Sequence, residues 1–109
     1  MDIRAINDEY SVSGQITVED LDAIAAMGFK SIVCHRPDHE EAGQSEFAAR
    51  AGELGIETAH VPVGPMGVTA EAVNGMVDAL DELPRPMLGY CRSGMRSTKT
   101  YEQTQHIRG

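Results

Sequence analysis

A chain of 109 residues, 41% hydrophobic and 24% charged, has the size and composition of one globular domain and not of a disordered segment. Its net charge of −8 excludes the broad basic face that nucleic-acid binding requires. No apolar run approaches the roughly 20 residues of a membrane helix, so no membrane span is expected.

The N-terminal stretch MDIRAINDEY lacks the apolar core of a secretory signal. Ser11–Ser13, after Tyr10, reads as a short strand leading into Gly14. Thr17 then offers an N-cap, with Asp20 three residues on. Val18, Leu21, Ile24 and Met27 follow at helical spacing, and Gly28 suits the left-handed end of that helix. Ser31–Cys34 is a compact strand run, ended by Pro37 and a polar loop. A second helix is predicted over Ser45–Leu54, with Phe47, Ala51 and Leu54 inward and Gly55 closing it. Ile56–Val63 reads as a third strand, broken by Pro62, Gly64 and Pro65. Thr69 caps a third helix whose stripe is Val73, Met76, Val77, Leu80 and Leu83, and Pro84 stops it. Met87–Tyr90 is the fourth strand, and a fourth helix starts near Gly94. Alternating strands and helices with short links predict a single α/β domain over residues 1–109: a roughly four-stranded, mostly parallel sheet flanked by helices.

The segment Ser97–Gly109 is atypical, because only Tyr101 and Ile107 are large and apolar. It is expected to pack weakly, to differ in the natural domain, or to be covered by another chain, which leaves a homo-oligomer open.

Ligands of parallel α/β sheets bind beyond the carboxyl ends of the strands, and Cys91 stands at such an end. The loop Cys91-Arg92-Ser93-Gly94-Met95-Arg96-Ser97 lies between the fourth strand and the last helix. Amides of residues 92–96 gathered at a helix N-terminus form an anion cradle, and their field favours a Cys91 thiolate. Gly94 allows close backbone approach, Arg96 can present a planar fork to two oxygens, and Ser97 can hydrogen-bond the thiolate or an attacking water. Arg92, Arg96 and Lys99 give an acidic chain one small cationic site, sized for a small anion.

With INDEYSVSGQIT, LDAIAAMGFKSIVCHRPDHEE and GIETAHVPV, the stretch YCRSGMRS makes the chain recognisable over most of residues 3–97. It resembles the small bacterial phosphatase-like domain also found fused to beta-lactamase-like hydrolases, a branch of the protein tyrosine and dual-specificity phosphatase fold. That resemblance implies a cysteinyl-phosphate mechanism: attack by Cys91 on a phosphoester, Arg96 on the equatorial oxygens, then hydrolysis. Two departures stand out. Tyrosine phosphatases place the arginine where this chain has Ser97; four residues between Cys91 and Arg96 is instead the spacing of rhodaneses, which carry a persulfide on the cysteine. The Asp-Val-Arg and Gly-His-Ile-x-Gly-Ala patterns of rhodaneses are missing, however. Dual-specificity phosphatases carry an acid on the loop after the third strand, and HVPVGPMGVT has no carboxylate. The reading is a cysteine-dependent phosphatase, with a rhodanese-like sulfurtransferase and a non-catalytic anion-binding module as alternatives.

Asp38, His39, Glu40 and Glu41 follow the second strand. They read as an ordinary solvated loop, or else Asp38 supplies the missing general acid. Arg36 either approaches the anion or pins its loop, and His60 reads as a structural histidine. Cys34 is a small core residue, or else a redox partner of Cys91 if their strands are neighbours. No metal-ligand spacing is present, so neither metal nor cofactor is expected. The two distant cysteines suit a reducing, cytoplasmic setting, and the partner expected is a small phosphorylated or sulfur-bearing anion.

Overall fold

The computed structural model describes residues 3–36, 44–64, 67–92 and 94–108. Its strands are β1 (Ile3–Ala5), β2 (Tyr10–Ser13), β3 (Ser31–Cys34), β4 (Glu57–His60) and β5 (Met87–Tyr90). Its α-helices are α1 (Leu21–Ala26), α2 (Gln44–Glu53), α3 (Ala70–Glu82) and α4 (Met95–Arg108). Among the described residues the sheet order is β1-β2-β5-β3-β4, parallel throughout except for β1, which runs antiparallel to β2.

Every residue of β2, β3 and β5 is buried, as expected of central strands covered on both faces. Side chains alternate between two cores. Tyr10, Val12, Val33 and Met87 point to the layer of α3 and α4, with Met76, Leu80 and Tyr101. Ile32, Cys34, Leu88 and Tyr90 point to the layer of α1 and α2, with Leu21, Ile24 and Phe47.

Local chemistry sets the helix ends. The Thr17 N–H donates to Asp20 Oδ2 at 2.8 Å ahead of α1, and the Thr69 hydroxyl accepts from the Ala72 N–H at 3.1 Å to cap α3. Gly28, at φ +97°, takes the left-handed turn after α1.

Two expectations are corrected. The sheet has a fifth strand, β1, whose three residues are half-buried or exposed and show no apolar alternation. The segment after Ser97 packs firmly instead of weakly: Ser97, Thr100, Tyr101 and Thr104 are buried, a stripe at helical spacing made largely of hydroxyl residues. Thr100 and Thr104 return their hydroxyls to the carbonyls of Arg96 and Tyr101 at 2.7 and 2.6 Å, so these two buried hydroxyls are satisfied within the helix. Tyr101 stacks on Tyr10 with ring centroids 4.2 Å apart.

Tyr10 fills the space above Gly89. A Cβ there would lie 2.0 Å from the phenol oxygen and 2.8 Å from Cζ of Tyr10. Gly89→Ala is therefore expected to destabilise the domain by about 2 kcal/mol, the scale of core overpacking. Urea denaturation checks this, and combining it with Tyr10→Leu should cost less than the two single changes added. Additive costs would contradict the contact.

Candidate active site

β5 is the central strand, so its carboxyl end delivers Cys91 to the middle of the sheet edge, flanked by the ends of β2 and β3. The Cys91 N–H extends the β2 pairing by donating to Ser13 O at 3.3 Å, and the side chain is buried. The chain then turns through Gly94, at φ +87°, and its N–H donates to Cys91 Sγ at 3.1 Å. α4 starts at once, with the Thr98 N–H bonded to Gly94 O at 3.0 Å. The sulfur thus receives a backbone donor at the positive end of a 14-residue helix.

Arg96, in the first turn of α4, is half-buried and donates from Nη1 to Val63 O at 3.1 Å. This bond fixes the guanidinium between α4 and the segment that follows β4. Arg92 is exposed, and its carbonyl accepts from the Gln15 N–H at 3.3 Å, tying the loop to the turn after β2. Arg36 donates to the Gln15 side chain. Met95 is exposed. Lys99 stands off the loop, lining the cleft between α3 and α4 with Glu102 and Gln103. Ser97 is buried, and its hydroxyl has no hydrogen-bond partner among the described residues. Asp38, His39, Glu40, Glu41 and Ser93 lie outside the described residues.

Beneath the loop, the Tyr10 phenol approaches Ser97 O at 3.4 Å. Burial, reinforced by nearby Cys91 and Tyr101, pushes its pKa far above the ordinary phenol value, so it remains a neutral donor.

The redox pairing of Cys34 with Cys91 is corrected by the register. β3 and β5 are indeed neighbours, but Cys34 stands opposite Tyr90, one position short of Cys91. Cys34 shares the Phe47 and Tyr90 core and lines a cavity of about 240 Å³ there, on the other face of the sheet from Tyr10 and its neighbour Cys91. Neither cysteine is in a disulfide.

His35, directly after β3, takes the place opposite Cys91, and the sequence reading did not single it out. Its N–H bonds Tyr90 O and its carbonyl accepts from the Val63 N–H, both at 2.9 Å. The ring is fully buried, with Nδ1 2.9 Å from Val61 O and Nε2 unpartnered among the described residues. Burial holds its pKa down at about 4. His60 bonds the Arg36 carbonyl through Nε2, a structural role as read from the sequence. Among the described residues, no group of three or more His, Cys, Asp or Glu could hold a metal ion, and no helix is long and apolar enough to cross a membrane.

Comparison with known proteins agrees with this geometry. Residues 2–107 match the family described as the phosphatase-like domain of beta-lactamase hydrolase-like protein. A beta-lactamase hydrolase-like protein of Agrobacterium fabrum is 30% identical over 99 residues, which cover 88% of this chain and 23% of that protein. The chain thus spans about a quarter of this relative's length. The crystal structure of a candidate phosphatase from Neisseria meningitidis superposes with a TM-score of 0.86 at 26% identity, covering 100% of this chain and 80% of that one. A mutant form of Tk-PTP shares the fold, with a TM-score of 0.77 at 18% identity over 97% of this chain and 71% of that one.

Proposed function

The chain belongs to the phosphatase-like domain family of the beta-lactamase hydrolase-like proteins, and from that premise we propose that it is a cysteine-dependent phosphoester hydrolase. The observation that carries this reading is the Gly94 N–H on Cys91 Sγ at the start of α4, with Arg96 in the first turn of that helix. In this mechanism the Cys91 thiolate attacks phosphorus, and the ester oxygen leaves with the bonding pair. Loop amides and the Arg96 fork hold the equatorial oxygens, whose charge is carried by the helix N-terminus. Asp38, which follows β3 in the sequence, protonates the leaving oxygen. Water then attacks phosphocysteine and gives a proton to the Asp38 carboxylate, the S–P bond breaks, and the thiolate returns. The Ser97 hydroxyl, buried below the loop, donates to the departing sulfur. A small phosphorylated substrate and a reducing, cytoplasmic setting fit a thiolate nucleophile.

The test is intact-mass analysis after acid quench. Incubation with p-nitrophenyl phosphate is expected to add one phosphoryl group to the wild type and none to Cys91→Ser. The four-residue gap between Cys91 and Arg96 favours a second reading, sulfur transfer. Thiosulfate would then load one sulfur onto Cys91, reversibly with cyanide, and no phosphoryl adduct would form. Phosphate binding with neither adduct would indicate an anion-binding module.

Asp38→Asn is expected to slow an alkyl phosphate far more than p-nitrophenyl phosphate, whose leaving group needs little protonation. Equal slowing of both would remove Asp38 from the acid role.

A further inference from the structure

Gly94 has a second neighbour that the loop motif does not announce. A Cβ on Gly94 would lie 2.6 Å from Nη2 of Arg4 and 3.4 Å from the backbone carbon of Ser13. The Arg4 guanidinium therefore lies where a side chain of residue 94 would project, against the turn that presents its N–H to Cys91. Arg4 comes from β1, the edge strand, and stands opposite Val12 of β2 in register. Because β1 runs antiparallel, its first residues lie alongside the carboxyl end of β2, next to the loop. The residue is exposed, so the guanidinium stands at the rim and not in the core.

The sheet order makes this placement directional. β5 is central, and Arg96 is anchored on Val63, just beyond β4 at one edge of the sheet. Arg4 reaches the same loop from the opposite edge. A phosphoryl group held by Arg96 and the loop amides would have Arg4 on its far flank. A planar fork on that flank of the loop suits a second oxyanion group bonded to the first. In a chain of net charge −8, such a doubly anionic ligand needs a local cation on each side.

We propose that Arg4 is a specificity-determining residue that selects small substrates carrying a second phosphoryl group beside the one that is cleaved. The proposal rests on the reading of the Cys91 loop as a phosphate site, and it concerns recognition, not chemistry.

Calorimetric titration with inorganic phosphate and with imidodiphosphate, whose bridging nitrogen resists hydrolysis, tests it on reduced wild type, Arg4→Gln and Arg4→Lys. The wild type is expected to bind imidodiphosphate about tenfold or more tighter than phosphate, the gain of one charge-assisted bidentate contact. Arg4→Gln should bring the two affinities within about twofold while changing phosphate affinity by less than about threefold. Arg4→Lys, which keeps the charge and loses the fork, should restore only part of the preference. A wild type without preference overturns the proposal, as does a preference that survives in Arg4→Gln. Equal weakening of both anions also overturns it, since Arg4 would then only support the loop. Turnover on the same samples is a separate readout. Preference without Cys91-dependent turnover removes the hydrolase reading alone, and turnover without preference removes this proposal alone.

Discussion

Arg96→Lys is expected to lower kcat/KM toward an aryl phosphate by about 10²–10³-fold, equivalent to about 3–4 kcal/mol of transition-state stabilisation. The reason is geometric. Arg96 spends one N–H on Val63 O at 3.1 Å, and that bond orients the plane of the guanidinium. A guanidinium can make this bond and still meet two oxygens of an oxyanion with parallel donors; an ammonium cannot do both in one pose. Because charge builds on those oxygens as the S–P bond forms, the loss should fall mainly on kcat. Arg92→Lys, at an exposed position whose backbone carbonyl accepts from the Gln15 N–H, is expected to cost less than about tenfold. Steady-state kinetics on both variants decide the matter. If Arg96→Lys stays within tenfold of the wild type, or matches Arg92→Lys, Arg96 does not hold the transferred group.

The order of elements was legible because its signals are local. The β-branched run at β3, the apolar lead into β5, the caps at Thr17 and Thr69 and the glycine turn at Gly28 each act within a few residues. The loop between β5 and α4 was legible for the same reason, since Cys91, Gly94, Arg96 and Ser97 stand within seven residues. What escaped depends on contacts between distant segments. β1 carries no apolar pattern and exists only as a partner of β2. The stripe of α4 was invisible to an apolar count, because threonines such as Thr100 and Thr104 become core residues only once their hydroxyls are bonded inside the helix. Arg4 reaches a loop 90 residues away, and nothing near it in sequence marks it. Cys34 was misjudged through register: adjacent strands put two cysteines near each other, yet a one-residue offset sends them to opposite faces. For His35 a signal did exist. A histidine directly after a buried strand run, beside the strand that carries Cys91, is a residue the fold must bury and satisfy.

That burial makes stability depend on pH. In the folded protein Val61 O can only accept, so His35 Nδ1 carries the proton and Nε2 keeps a buried lone pair. A second proton would place a charge in the core. Burial is the main cause that depresses the pKa from 6.5 to about 4, nearby His60 adds to it, and the bond to Val61 opposes it. An unfolded chain binds this proton near pH 6.5, so between 6.5 and about 4 the unfolded state holds more protons than the folded one. Stability from this group is therefore complete above pH 6.5 and lost as pH falls toward 4, about 3 kcal/mol over the full window. The loss reaches the site, because the His35 backbone binds both Tyr90, which precedes Cys91, and Val63, which holds Arg96. Urea denaturation should show the wild type about 2 kcal/mol less stable at pH 5 than at pH 7 through this residue. His35→Asn, whose amide can still donate to Val61 O without titrating, should flatten that difference even if it lowers stability at pH 7. Parallel pH profiles for the two proteins would show that His35 is not the group that senses acid.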